Sequence, residues 1–447
     1  MVVNRDKAPS AQETFLQMAQ AAGLRGRLLI TIGLLVLLRF GIFIPVPGIN
    51  RSEFAASVSQ SGVLSFLDIF AGGGLKALGV FALGIIPYIN ASIILQLLTA
   101  AIPALEDLQK NEGEAGRRKI SQYTRYVALA WAVIQSTMLT IGLLQGAGPN
   151  GIPLAENFGP WFVIQTVLTL TAGSMFVMWV GELITERGIG NGASLLIFLN
   201  IVSSLPNSFG KLATVLQSTD NREAVTGAVI LLLVFVAMVV GIVFVQEGTR
   251  RIPIIVARRQ VGRQMFLERS SYLPLRLNQG GVMPIIFASA VLSLPLFLER
   301  PINQGWFSTV VRTYLSPGGS QAWVYTLVYL TLILFFSYFY SSLVIQPDDL
   351  SKNLKKMGAS IPGIRPGKAT TEYVEGVLNR LTLLGAIFLG VVAIVPTAIE
   401  GAVPGGRELF SGFGATSLLI LVGVAIDTAK QIQTYVISQR YEGMVKQ

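Results

Sequence analysis

Apolar residues along this chain run in unbroken stretches of about twenty rather than recurring every three or four positions. Stretches with few or no charges fall near 28–46, 77–100, 124–145, 160–181, 191–209, 224–245, 281–298, 322–345, 379–398 and 413–436. A helix rises about 1.5 Å per residue, so roughly twenty residues cross the ~30 Å hydrocarbon core of a bilayer. The pattern predicts an all-α polytopic membrane protein with one transmembrane helix in each stretch.

The polar segments between them are unequal. Long insertions occupy 101–123, 246–280 and 346–378, and most of the 34 Lys and Arg residues fall on that same side of the membrane. By the positive-inside bias, both termini are cytoplasmic. Residues 1–27 carry Ser10-Ala11-Gln12-Glu13, a capping box ahead of Phe15, Met18, Ala19 and Ala22, and predict an amphipathic surface segment. Residues 28–209 and 210–436 then hold five spans each, with a tail at 437–447. Five crossings separate equivalent spans, so the two halves have opposite orientation, the arrangement of inverted repeats.

Three places depart from simple spans. Residues Val63, Leu64, Phe66, Leu67, Ile69 and Phe70 make an apolar run on the outer side that is too short to cross, and Gly72, Gly73 and Gly74 release the chain after it. It reads either as a re-entrant plug or as a helix lying in the outer interface. Pro87 falls in mid-span with Asn90 a turn later, and Gly280 to Pro284 open the seventh stretch, so both helices are expected to kink or hinge. In the 246–280 loop, Arg250, Arg251, Arg258, Arg259 and Arg263 accompany an alternation of Ile252, Ile254 and Val256. This predicts an extended basic ribbon suited to phosphates or an acidic protein surface, or else an ordinary cytoplasmic loop.

Composition narrows the chemistry. Charged residues make up only 13% of the chain, and neither Cys nor His occurs. Disulfides, thiolate chemistry, imidazole bases and the usual zinc sites are therefore excluded, and neither a metal nor a cofactor is expected. The spans also lack the midplane ionisable groups with which secondary transporters couple ions, and the paired aspartates of an intramembrane protease. Arg39 and Asp427 lie toward helix ends, where snorkelling to the interface is the expected explanation.

Five strings occur together in one order. They are Arg39-Phe40-Gly41-Ile42-Phe43-Ile44-Pro45-Val46-Pro47-Gly48-Ile49, Pro87-Tyr88-Ile89-Asn90-Ala91-Ser92-Ile93-Ile94-Leu95-Gln96-Leu97-Leu98, Ile184-Thr185-Glu186-Arg187-Gly188-Ile189-Gly190-Asn191-Gly192, Ile364-Arg365-Pro366-Gly367 and Thr416-Ser417-Leu418-Leu419-Ile420. In these the chain resembles the SecY family of protein-conducting channels over nearly its whole length. The resemblance implies two inverted five-helix halves around a central pore closed by a re-entrant plug helix at 63–74. It places a pore ring on Ile85, Ile89, Ala193, Ile197, Ile286 and Ile420, where Ala193 departs from the bulky aliphatic residue usual in the family. A lateral gate falls at Pro87, Asn90 and Pro284. Arg250, Arg251, Arg258, Arg259, Arg263, Arg365 and Lys368 would dock the SecA ATPase or the ribosome, RNA being met only through the ribosome. The implied partners are SecE, SecG, nascent chains, signal peptides and membrane lipid. The function the resemblance implies is passage of unfolded polypeptides across the bilayer and lateral insertion of membrane proteins, without catalysis. The expected location is a bacterial inner membrane, with a thylakoid membrane also open.

Overall fold

The computed structural model describes residues 22–60, 68, 71–110, 112–144, 146, 150–217, 222–256, 260–261, 264–265, 270–302, 305–315, 321–402 and 415–445. They form two compact units, one of Met1–Phe209, Pro295–Val311 and Val424–Gln447, the other of Gly210–Leu294 and Arg312–Gly423.

In the first unit, α1 is Ala22–Gly41, α2 Arg51–Gln60, α3 Ile86–Ala101, α4 Pro103–Lys110, α5 Gly113–Leu139, α6 Pro160–Arg187 and α7 Gly192–Gln217, the last running on beyond the unit. A π-helical turn, Thr140–Leu144, extends α5. Helix α5 packs between α3 and α6, and α6 also meets α1. The α5–α6 seam holds a polar pair typical of helices that cannot rely on the hydrophobic effect in lipid: Ser136 Oγ and Thr171 Oγ1 lie 3.1 Å apart, both buried. A separate apolar cluster joins Val46, Phe54, Val58, Ala71, Leu75, Leu78, Ala82 and Leu83 to Leu139, Leu144, Leu154 and Leu170. It ties the loop between α1 and α3 to the end of α5, its π-helical turn and the N-terminal half of α6.

The second predicted span, 77–100, begins later in the structure than the sequence pattern suggests. A short helix ends at Ala77, residues 78–85 are turns and a bridge, and the long helix starts only at Ile86. Gly79 pairs with Pro45 in an isolated bridge, Val80 donates to the Ile44 carbonyl, and Gly84 is left-handed at φ 54°. Pro87 therefore lies in the first turn of α3 and produces no mid-helix kink. Proline suits that position, because its missing N–H has no intrahelical partner to lose. At the other end α3 turns by 106° into α4 at the break around Ile102.

The second unit contains α8, Arg222–Glu247, then a basic sheet, part of α9, Met283–Ile302, part of α10, Gly305–Tyr314, then α11, Ala322–Val344, α12, Pro347–Lys356, α13, Lys368–Ala402, and the first turns of α14, Ala415–Val445. Strand β1, Thr249–Val256, is followed by the short pair β2, Gln260–Val261, and β3, Gln264–Met265, and by β4, Ser270–Arg276. β5, Ala359–Ser360, completes a three-stranded sheet of order β4-β1-β5. Antiparallel pairing sets Ile252 opposite Leu273 and Ile254 opposite Ser271, which turns both isoleucines inward and leaves Arg251 and Pro253 in solvent. The sheet rests on Ile361, Val374, Leu378 and Leu381, so α13 carries it.

The extended ribbon expected from the Ile alternation is thus present. It is the main exception to an otherwise helical chain, whose apolar helices are those of a membrane protein. Among the described residues, four helices meet the length and hydropathy of a span unaided, and five do if α3 and α4 are counted as one bent span.

Candidate functional site

The residues expected around a pore fall in both units. In the first, Ile85 is the residue preceding α3 and is buried, with Ile89 one turn further on and half-buried. Ala193 and Ile197 occupy the first two turns of α7, Ala193 half-buried and Ile197 buried. One glycine brings these two helix starts together. A Cβ on Gly181 of α6 would stand 3.3 Å from Leu196 Cδ1, 3.4 Å from Ile85 Cδ1 and 3.8 Å from the Ala193 nitrogen. Gly192 in turn sits against the Gly181 backbone, where a Cβ would strike the carbonyl oxygen. The motif Gly188 to Gly192 is thereby explained as close packing of a tight turn, held by Thr31 Oγ1 accepting from the Ile189 N–H at 3.1 Å and Thr185 Oγ1 accepting from the Gly192 N–H at 2.9 Å.

In the second unit, Ile286 is buried in the first turn of α9, and Ile420, in the early turns of α14, has no exposed surface. The turn before α9 and helix α14 come together at Gly423, where an added Cβ would strike the Val282 side chain. The turn before α9 is fixed by Asn278, whose Nδ2 donates to the Gly281 carbonyl at 2.8 Å, with Gly281 left-handed at φ 58°. Pro284 is the second residue of α9. Like Pro87, it starts a helix and does not kink one. Asn90 is only 5% exposed, and its Nδ2 has no hydrogen-bond partner among the described residues.

Of the expected plug, Val63, Leu64, Phe66, Leu67, Ile69 and Phe70 lie outside the described residues. Its exit, by contrast, falls within the described residues. Asp68 accepts the Lys76 backbone N–H on Oδ1 at 2.9 Å, and the Lys76 ammonium stands 3.9 Å from Oδ2. The Gly73 N–H donates to the Asp68 carbonyl and the Gly74 N–H to that of Ala71. Gly72 and Gly73 are left-handed, at φ 63° and 85°. That conformation requires the glycines found there. Burial raises the Asp68 carboxyl above its ordinary range, against the lowering influence of the Lys76 N–H and charge.

Sequence reasoning missed the anchor of this loop. Arg39, expected to snorkel, instead turns inward, and its Nη1 donates to the Gly72 carbonyl at 2.7 Å. A second tie, Glu53 on α2 accepting from Asn150 Nδ2 at 2.8 Å, joins α2 to the loop between α5 and α6. Neither pairing has a spacing signal, because the partners are 33 and 97 residues apart.

Of the expected docking residues, Arg250 and Arg251 are exposed on β1, with the Arg251 guanidinium 4.9 Å from the centre of the Tyr272 ring. Arg258, Arg259 and Arg263 lie outside the described residues. Arg365 and Lys368 are exposed, and the backbone at Arg365 is locked: Thr370 Oγ1 donates to the Arg365 carbonyl at 2.9 Å and Ser351 Oγ to that of Gly367 at 2.9 Å. Gly363 and Gly367 take φ 79° and 113°, so this is a rigid turn that presents a guanidinium to solvent.

Apolar helices, glycine-mediated helix contacts and a rigid basic sheet built on one helix define a polytopic helical membrane protein. The SecY family matches residues 79–429, and the chain belongs to that family. A relative from Synechocystis sp., a protein translocase subunit SecY, is 67% identical over 454 residues, covering 100% of each chain. In fold the chain is similar to a solved SecY channel whose plug domain is described as stabilising the closed state and maintaining a membrane seal, at TM-score 0.64, 17% identity and 92% of both chains. It is also similar to Sec61 from a canine ribosome-channel complex of the endoplasmic reticulum, at TM-score 0.60, 16% identity and 92% of both chains. The family is one of translocase subunits that are not themselves enzymes.

Proposed function

We infer that this chain is the channel subunit of a protein translocase, passing unfolded polypeptides through a pore and releasing membrane proteins sideways into lipid. The observation that carries the reading is family membership at 67% identity over the whole chain. In this reading ten helices span the membrane in two inverted halves, with both termini cytoplasmic. Ile85, Ile89, Ala193, Ile197, Ile286 and Ile420 form a constriction that excludes ions by dewetting and offers a passing chain no fixed hydrogen bonds. The segment at 63–74 seals it, and Pro87, Asn90 and Pro284 lie along a seam that a signal helix parts.

The chain supplies no chemical energy, so a motor or a translating ribosome must dock on the cytoplasmic face. The exposed Arg250, Arg251, Arg365 and Lys368, held on the sheet and the α12–α13 turn, suit a SecA-like ATPase or ribosomal RNA. SecE and SecG would complete the channel within the bilayer. A bacterial inner membrane is the proposed location, and the cyanobacterial relative keeps a thylakoid membrane in view.

The test is reconstitution of the purified translocase in vesicles, with entry of a signal-bearing precursor read by protease protection. Arg365→Glu is expected to abolish motor-driven entry and ribosome co-sedimentation while leaving the chain folded. Uptake of a small solute, with no precursor entry, would overturn the reading.

A further inference from the structure

Arg39 is the charged group that holds the plug's exit loop in place, and the geometry points to this contact as a latch on the closed channel. We propose that the Arg39 guanidinium, by binding the Gly72 carbonyl, keeps Ala71 to Gly74 seated, and that breaking this bond is an early step in displacing the plug. The inference rests on the channel reading above, because only there does the loop move.

An arginine in the last turn of an apolar helix ordinarily sends its head to the interface. Here the head is half-buried and spends one N–H on a buried backbone carbonyl at 2.7 Å, the length of a charge-assisted bond. The acceptor is not an arbitrary carbonyl. Gly72 lies at φ 63°, and a Cβ there would stand 2.5 Å from Asn200 Oδ1 and 3.0 Å from Arg39 Nη1. Side chains from α1 and α7 therefore close on the same residue, and glycine is needed both for the dihedral and for the space.

The loop's remaining ties divide into two kinds. Asp68 with Lys76, Gly73 with Asp68 and Gly74 with Ala71 are bonds within the loop, which travel with it if it moves. The bond from Arg39 and the apolar seat of Ala71 and Leu75 connect the loop to other elements. Apolar contacts are short-ranged but non-directional, so they tolerate sliding. A guanidinium bond to one carbonyl does not, and it fixes the register of the exit.

The absence of Cys makes the test direct. Ala71→Cys places a lone thiol at a position 2% exposed, and Val58→Cys places a control thiol on α2 in the same cluster, fully buried. The full chain, purified with its accompanying subunits and held in proteoliposomes, is treated with a water-soluble maleimide, and ion leak is recorded in parallel. Combining Arg39→Gln with Ala71→Cys is expected to speed modification about tenfold or more, as loss of one charge-assisted bond implies. The Val58 control should stay protected while leak rises.

Unchanged modification at Ala71 overturns the latch. Faster modification without any rise in leak keeps the Arg39 contact and overturns the plug reading instead. If Arg39→Gln exposes the Val58 thiol as well, the latch stands or falls on Gly72→Ala, which leaves α1 intact and drives a methyl into Asn200 and Arg39. Modification at Ala71 should rise in that variant too, and an unchanged rate there overturns the proposal.

Discussion

Arg125 on α5 and Glu182 on α6 meet side-on, with Nε 3.0 Å from Oε1 and Nη2 2.9 Å from Oε2. Two parallel bonds make this a well-formed ion pair, and the glutamate is the less exposed partner. It closes the seam whose interior is held by Ser136 and Thr171. Because the arginine is well exposed, screening limits its worth. A double-mutant cycle of Arg125→Ala and Glu182→Ala is expected to give a coupling of about 0.5–1 kcal/mol in thermal unfolding, and additive effects would show no coupling.

On the channel reading, Asp68 makes the loop that leaves the proposed plug sensitive to acid. Its carboxyl is raised by burial, less the effect of the Lys76 N–H and charge, so the folded loop holds its proton more tightly than an unfolded chain, whose value is near 3.8. As pH falls through the raised value the native loop takes up a proton first and gains stability, and the gain is complete once pH passes below 3.8. At neutral pH the buried carboxylate costs the seated state. Protection of a thiol at position 71 should therefore increase on acidification from neutrality, and Asp68→Asn should remove that dependence. A pH profile identical in the two proteins would refute the assignment.

Asn90 carries a buried amide with no partner for Nδ2 among the described residues. An unmet donor of this kind costs about 1–3 kcal/mol, and Asn90→Leu removes the cost from the closed state. Parting the seam would let the amide meet water, a gain the leucine cannot have. The variant should be more thermostable and should translocate precursors with weak signal sequences less well. Signal stringency equal to that of the parent chain would count against a gating role.

How far the sequence alone could reach depends on which interactions leave a periodic trace. Apolar run length marked the helices, and the alternation at Ile252 and Ile254 marked β1, since both follow from local geometry. The start of α3 was misplaced by about nine residues, because 77–85 is as apolar as a helix. What breaks it is a bridge from Gly79 to Pro45, 34 positions earlier in the chain and invisible to any window. The amphipathic α10 and the short α12 were absorbed into loops, being too short or too polar to register as spans. Arg39 was misread for a related reason: the rule for arginines near helix ends treats lipid and water as the only surroundings, whereas here a glycine carbonyl competes.

If the turn at Arg365 is the docking surface proposed above, its role can be probed without touching its charges. Thr370 Oγ1 donates to the Arg365 carbonyl, and the side chain of Thr370 is buried. Thr370→Val keeps the volume and removes that bond, at a cost of about 1 kcal/mol in local order. Binding of the motor or ribosome should weaken in the same direction as Arg365→Ala but less steeply, measured by co-sedimentation at fixed salt. If binding were unaffected, the rigidity of the turn would be irrelevant to docking.

Gly181 and Gly192 give opposite expectations for the same substitution. Alanine at Gly181 adds helix propensity of about 1 kcal/mol and places a methyl 3.3–3.4 Å from Leu196 Cδ1 and Ile85 Cδ1, both movable ends of flexible side chains. The fold should survive Gly181→Ala almost unchanged in melting temperature, while Ile85 shifts by a few tenths of an ångström. Alanine at Gly192 meets the Gly181 carbonyl oxygen, which is backbone and cannot rotate away. Gly192→Ala should therefore destabilise by about 2 kcal/mol or more, as overpacking of a close contact does. If Ile85 belongs to the constriction, ion leak through reconstituted Gly181→Ala channels should rise without loss of protein, separating a pore effect from a folding effect. Leak that changes only in Gly192→Ala, in step with its stability, would remove Ile85 from the ring.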